Sequence, residues 1–121
     1  PSDPFLVESI EYGVLVLGSI LVFVLGHSEC GAVKGAIDVA TKGTTLPGSI
    51  GDLIVPILPA VEANKSVPKD QLLEAATRSN VHLAIAQLSS VPIIRDAIGQ
   101  GKLRVAGGEY ELNTGKVEIV T

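Results

Sequence analysis

The stretch Val22-Phe23-Val24-Leu25-Gly26-His27-Ser28-Glu29-Cys30-Gly31-Ala32-Val33 decides how the chain is read. An uncharged, β-branched run stops at Gly26, and a histidine and the only cysteine of the sequence follow, three positions apart. The run from Ile20 to Leu25 has the length and residue types of a buried strand. Gly31 then opens a segment with helical spacing, so the histidine and cysteine fall on a strand-to-helix turn. In open α/β sheets ligands gather beyond the carboxyl ends of strands. Imidazole nitrogen and thiolate sulfur both suit Zn²⁺, and H-x-x-C on such a turn can aim both at one point. The positive end of the following helix favours the thiolate form of Cys30. The alternative reading of Cys30 is a small hydrophobe buried after an apolar run. A complete zinc site takes three protein ligands plus water, or four. Only one further histidine, His82, is available, so spacing alone leaves both readings open.

Working outward, Ser2-Asp3-Pro4 reads as a helix start, with Gly18 as its terminator. A short helix is expected over 30–41, with Ala32, Val33, Ala36, Ile37 and Ala40 as its buried stripe. Lys42 to Gly48 has loop composition. Ser49 followed by Asp52 resembles a capping box for a helix over 49–64, which Pro56 and Pro59 should bend or break. The longest helix is expected over 68–90, with Leu72, Leu73, Ala76, Val81, Ala84, Ile85 and Leu88 on its apolar face, and a short one over 92–98. His82, within the long helix, reads as a packing or surface residue. Two strands follow, over 103–110 and 116–120, joined by the turn residues Asn113-Thr114-Gly115 and therefore antiparallel. Gly107-Gly108 suggests a bend or bulge in the first of them. The helices between 20–25 and 103–110 imply a parallel crossover.

Composition narrows the class. At 121 residues, a single domain over 1–121 is expected. Hydrophobic residues make up 46% and aromatics 3%, so the core must be aliphatic, as in a parallel sheet covered on both faces. The net charge of −4 and the lack of a basic stripe argue against nucleic acid as a partner. One cysteine excludes an intrachain disulfide and fits a reducing compartment, the cytoplasm. The longest uncharged run, 12–26, is shorter than the roughly 20 residues of a membrane span and is broken by glycines, so no membrane association is expected.

Three stretches together carry a resemblance: Ser9-Ile10-Glu11-Tyr12-Gly13-Val14, Val24-Leu25-Gly26-His27-Ser28-Glu29-Cys30-Gly31-Ala32-Val33, and Leu103-Arg104-Val105-Ala106-Gly107-Gly108-Glu109-Tyr110-Glu111-Leu112-Asn113-Thr114-Gly115-Lys116-Val117. Their order and spacing resemble the β-class carbonic anhydrases from about residue 8 onward. The resemblance implies an α/β fold in which a parallel central sheet has helices on both faces and an antiparallel C-terminal edge strand. It implies zinc as cofactor, CO₂ and bicarbonate as substrate and product, and metal water made nucleophilic near neutral pH. It assigns His27 and Cys30 to the metal and places the backbone of Gly31 beside the metal pocket. Tyr12 matches an aromatic that lines the substrate cleft across a subunit boundary; its alternative role is helix packing in the core. His82 receives no metal role.

The family's second cysteine and its Asp–Arg dyad lie in a C-x-D-x-R strand motif. That motif does not occur in these 121 residues, so no dyad residue is assigned and the fold is expected to be truncated at the N-terminus. The strand over 20–25 would then have an open, apolar edge, which invites pairing with another chain. The expected partners are a second copy, giving a dimer or higher homo-oligomer, or a complementing N-terminal segment. A different reading is a non-catalytic zinc-binding or assembly module, in which two copies of His27 and Cys30 make a closed four-ligand site.

Overall fold

The computed structural model of the chain describes residues 3–120. Helix α1 spans Pro4–Leu15, and Asp3 caps it by accepting from the amides of Phe5 and Leu6. Ser2, the other expected cap residue, lies outside the described residues. Strand β1, Leu21–His27, leads into α2, Gly31–Lys42. Gly43, at φ 64°, ends α2 in the left-handed conformation that glycine adopts without strain.

The expected proline breaks occur in the next segment. Helix α3, Ile50–Ile54, passes through a 3₁₀ turn, Val55–Ile57, into α4, Leu58–Glu62. The expected capping box does not form: Ser49 makes no side-chain bond to the helix start, and its carbonyl accepts from the Asp52 amide instead. Helix α5, Lys69–Ser90, is the longest, and α6, Pro92–Gly99, follows it directly. Strands β2, Arg104–Tyr110, and β3, Val117–Ile119, complete the chain.

The sheet order is β1-β2-β3, with β1 parallel to β2 and β3 antiparallel to β2. This is the expected α/β arrangement with its antiparallel edge strand. Residues alternate faces along a strand, and two clusters lie on the helical side. Val22, Val24 and Val105 pack with Ile10 and Val14 of α1 and with Leu88, Ile94 and Leu103. Val33, Ala36, Ile54, Ile57, Val61 and Ala76 form the second cluster, among α2, the bent α3–α4 segment and α5. Val39 joins it, whereas Ala40, expected in the stripe, is exposed. The other sheet face was expected to carry helices too. It presents Leu21, Phe23 and Leu25 at 51%, 38% and 52% exposure.

The glycines of β2 do not make a bulge. Pairing with β1 runs unbroken from Leu21 opposite Arg104 to His27 opposite Tyr110. They are needed for close approach instead. A Cβ on Gly107 would lie 2.5 Å from Val81 and 2.7 Å from Ile85, so α5 rests directly on the β2 backbone. On the opposite face, a Cβ on Gly108 would meet the Glu118 carbonyl oxygen at 2.8 Å and the Phe23 ring at 2.9 Å.

Candidate metal centre

His27 is the last residue of β1 and pairs in register with Tyr110 at the end of β2. Its Nδ1 lies 2.9 Å from the carbonyl oxygen of Ser28. The carbonyl can only accept, so the bond requires the proton on Nδ1 and leaves the Nε2 lone pair open. Metal-ligating histidines are commonly held in this way, by a carbonyl or carboxylate on the other nitrogen.

Ser28 is itself tied to the end of β2. Its amide donates to the Tyr110 carbonyl at 2.9 Å. Its hydroxyl accepts from the Leu112 amide at 2.9 Å and donates to Glu111 Oε1 at 3.2 Å. Glu111 Oε1 also accepts from the Asn113 amide at 3.0 Å. The next residue, Glu29, has φ 57°. That left-handed conformation costs a residue with a Cβ about 1–2 kcal/mol. The side chain of Glu29 pairs with Lys34 on α2.

Cys30 is the N-cap of α2 rather than part of its first turn, with φ −62° and ψ 116° and no capping bond from its side chain. Its thiol is free and half-buried, and the residue packs against the Val33–Val61 cluster. Cys30 thus contacts the core and sits at the N-terminus of α2. Gly31 is the first residue of α2 and is exposed, with nothing within 4 Å of where a Cβ would stand.

Tyr12 is 57% exposed on α1, so it does not pack in the core. His82 is exposed on α5, as a surface residue. Neither supplies a further donor to the turn: among the described residues no group of three or more His, Cys, Asp or Glu could hold a metal. The donor types of His27 and Cys30 fit zinc, and the open Nε2 suits a ligand. Their number makes up only part of a site.

Beside the turn is a cleft of about 610 Å³, lined by Ser28, Glu29, Arg78, Glu109, Glu111 and Glu118 among others. Arg78 dominates it. Its guanidinium donates to Glu109 Oε2 at 3.0 Å and Glu118 Oε2 at 2.8 Å, and it pairs with Glu74 at 3.2 Å. Burial pushes the Glu109 carboxyl above its ordinary pKa, and the neighbouring Arg78 offsets this only in part. The hydrogen bond to Glu118 holds Arg78 more firmly protonated. Sequence reading missed this cluster and the Ser28–Glu111 bond. The available signals were a glutamate directly after the Gly107-Gly108 pair in a strand and a serine directly after the turn histidine.

The carbonic anhydrase family model matches residues 1–117. Carbonic anhydrase 2 of Mycobacterium tuberculosis is 33% identical over 118 residues, covering 97% of this chain and 56% of that protein. A carbonic anhydrase of Synechococcus elongatus is 32% identical over 117 residues, covering 90% of this chain and 41% of that protein. The chain thus spans about half the length of these curated relatives. Among solved structures, a β-carbonic anhydrase of Coccomyxa in complex with acetazolamide superposes with a TM-score of 0.84 at 25% identity, over 98% of this chain and 54% of that one. A tetrameric β-carbonic anhydrase of Sordaria macrospora shares the fold with a TM-score of 0.86 at 23% identity, over 98% of this chain and 61% of that one. Sequence match, sheet order and the strand-to-helix turn agree, and the chain belongs to the β-class carbonic anhydrase family.

Proposed function

We propose that this chain supplies part of a zinc site for the reversible hydration of CO₂ to bicarbonate. The observation that carries the proposal is the His27 ring, whose Nδ1 is engaged by Ser28 and whose Nε2 is open, three positions before a free thiol. His27 and Cys30 would hold the ion, and zinc, when bound, makes water acidic enough to react near neutral pH. Gly31, exposed at the start of α2, has open space where a Cβ would stand, so its backbone can be approached by a small substrate. Tyr12, exposed on α1, is available to line the cleft of a second subunit. A third ligand and an Asp–Arg pair come, in this reading, from residues outside these 121. The outer edge of β1 supports a partner strand there, because β1 pairs only with β2 among the described residues and carries no charge before His27. A homo-oligomer and a complementing segment both satisfy that edge. A thiol ligand that must stay reduced suits the cytoplasm.

The second reading is a non-catalytic zinc-binding or assembly module, in which two copies of His27 and Cys30 would close a four-ligand site. Elemental analysis together with CO₂ hydration, with and without an added segment carrying Cys-x-Asp-x-Arg, separates the two. Zinc with activity in the complemented sample supports the enzyme, and zinc without activity supports the module. A chain that takes up zinc in neither state removes both.

A further inference from the structure

We infer that Ser28 is a positioning residue that sets the tautomer and orientation of the His27 imidazole. This rests on the reading of His27 as a metal ligand. Three bonds fix Ser28: its amide to the Tyr110 carbonyl at 2.9 Å, the Leu112 amide to its hydroxyl at 2.9 Å, and its hydroxyl to Glu111 Oε1 at 3.2 Å. All three lead to the end of β2 or the turn after it, so the hydroxyl locks the β1 exit to a neighbouring strand.

What the lock holds still is the Ser28 carbonyl, the group that engages His27 Nδ1 at 2.9 Å. An imidazole in water has no fixed tautomer. Here a carbonyl at a defined place selects the Nδ1–H form and turns Nε2 outward. The need for a lock is local. Glu29, immediately after Ser28, is held at φ 57°, a conformation that the turn would relax if released. The Glu29–Lys34 pair restrains the turn from the α2 side, but both side chains are at least half exposed, and such pairs hold weakly. Glu111 is a shared acceptor, because its Oε1 also takes the Asn113 amide at 3.0 Å. The carboxylate therefore ties the β2–β3 turn and the metal turn together.

The test is ¹⁵N NMR of the histidine rings in the full chain, at a pH where imidazole is neutral, with exposed His82 as internal reference. The wild-type His27 ring is expected to be protonated at Nδ1 and bare at Nε2. Ser28→Ala should shift it toward a mixture of tautomers, and Ser28→Thr, which restores the hydroxyl, should keep the wild-type pattern. A wild-type ring protonated at Nε2, a Ser28→Ala ring identical to wild type, or a threonine ring that behaves like alanine's overturns the inference. If Ser28→Ala folds poorly, Glu111→Ala removes one arm of the lock and should give a smaller shift in the same direction; no shift overturns the inference. Zinc titration of the same samples tests the parent reading separately. Ser28→Ala keeps the carbonyl but frees it from its lock, so zinc binding should weaken by up to about tenfold, with threonine again restoring it. Equal affinity in wild type and Ser28→Ala overturns the positioning role. A wild-type chain that takes up no zinc, alone or with the added Cys-x-Asp-x-Arg segment, removes the metal reading, and the ring signals still decide whether Ser28 sets the tautomer.

Discussion

Glu109 and Glu118 stand directly opposite one another across β2 and β3. Like charges in one cross-strand pair are destabilising. Arg78 of α5 bridges them, at 3.0 Å to Glu109 and 2.8 Å to Glu118, so the three-residue strand β3 is held partly by a helix it does not belong to. Glu109, with 10% of its side chain exposed, is the costly member, and Glu118, at 69%, has water as an alternative partner.

Replacing Arg78 by alanine leaves the Glu109 carboxylate buried without its cation. An unsatisfied buried acceptor costs about 1–3 kcal/mol, and urea denaturation should show a loss of that order. The loss should be concentrated at β3: the Val120 amide, bonded to the Gly107 carbonyl, should lose hydrogen-exchange protection before the amides of α5 do. Adding Glu109→Gln to Arg78→Ala should recover part of the stability. An uncoupled, additive double variant would show that Arg78 does not offset the buried Glu109 charge.

The same carboxyl gives a pH dependence with a definite sign. Burial raises the Glu109 pKa above the ordinary 4.5, so the folded chain holds that proton more tightly than the unfolded one. Stability from this group therefore falls as pH rises from the ordinary value through the raised one, and is constant outside that window. Glu109→Gln should remove this component. The difference in urea midpoint between wild type and the variant should move in the variant's favour as pH rises through the window. A difference that is flat, or that moves toward wild type, contradicts the assignment.

Gly107 is predicted to be intolerant of a single methyl. Its Cβ would meet Val81, Ile85 and the Val24 carbonyl oxygen at 2.5, 2.7 and 3.2 Å. Gly107→Ala should therefore destabilise by about 1–3 kcal/mol through overpacking. Gly31→Ala has open space around it and should stay within about 0.5 kcal/mol of wild type. Thermal unfolding of the two variants side by side checks the contrast, and equal midpoints would contradict the packing of α5 on β2.

Much of this architecture is legible in the sequence, and the unread parts share a cause. The run before Gly26, the long aliphatic stripe ending at Leu88 and the turn at Asn113-Thr114-Gly115 are local patterns, and β1, α5 and the β2–β3 hairpin lie where those patterns put them. The breaks at Pro56 and Pro59 follow from proline's missing donor. Long-range partners leave no such trace. Gly107-Gly108 reads as a bulge because the sequence does not reveal that Val81 and Ile85 lie over one glycine and Phe23 over the other. Ser49 and Asp52 have capping spacing, but the observed bond goes to the Ser49 backbone. Arg78 and Glu109 are 31 positions apart, and Ser28 and Glu111 are 83. In the candidate site, His27, Cys30 and Gly31 were readable as a strand-to-helix turn, and the bond that leaves Nε2 open was not.

X-ray absorption at the zinc edge of the metal-loaded chain tests the central claim most directly, with Cys30→Ala and His27→Ala measured beside wild type. A sulfur neighbour at about 2.3 Å and a histidine nitrogen at about 2.0–2.1 Å are expected, with one sulfur lost in Cys30→Ala and one imidazole contribution lost in His27→Ala. A zinc shell that keeps the same neighbours in both variants would contradict it.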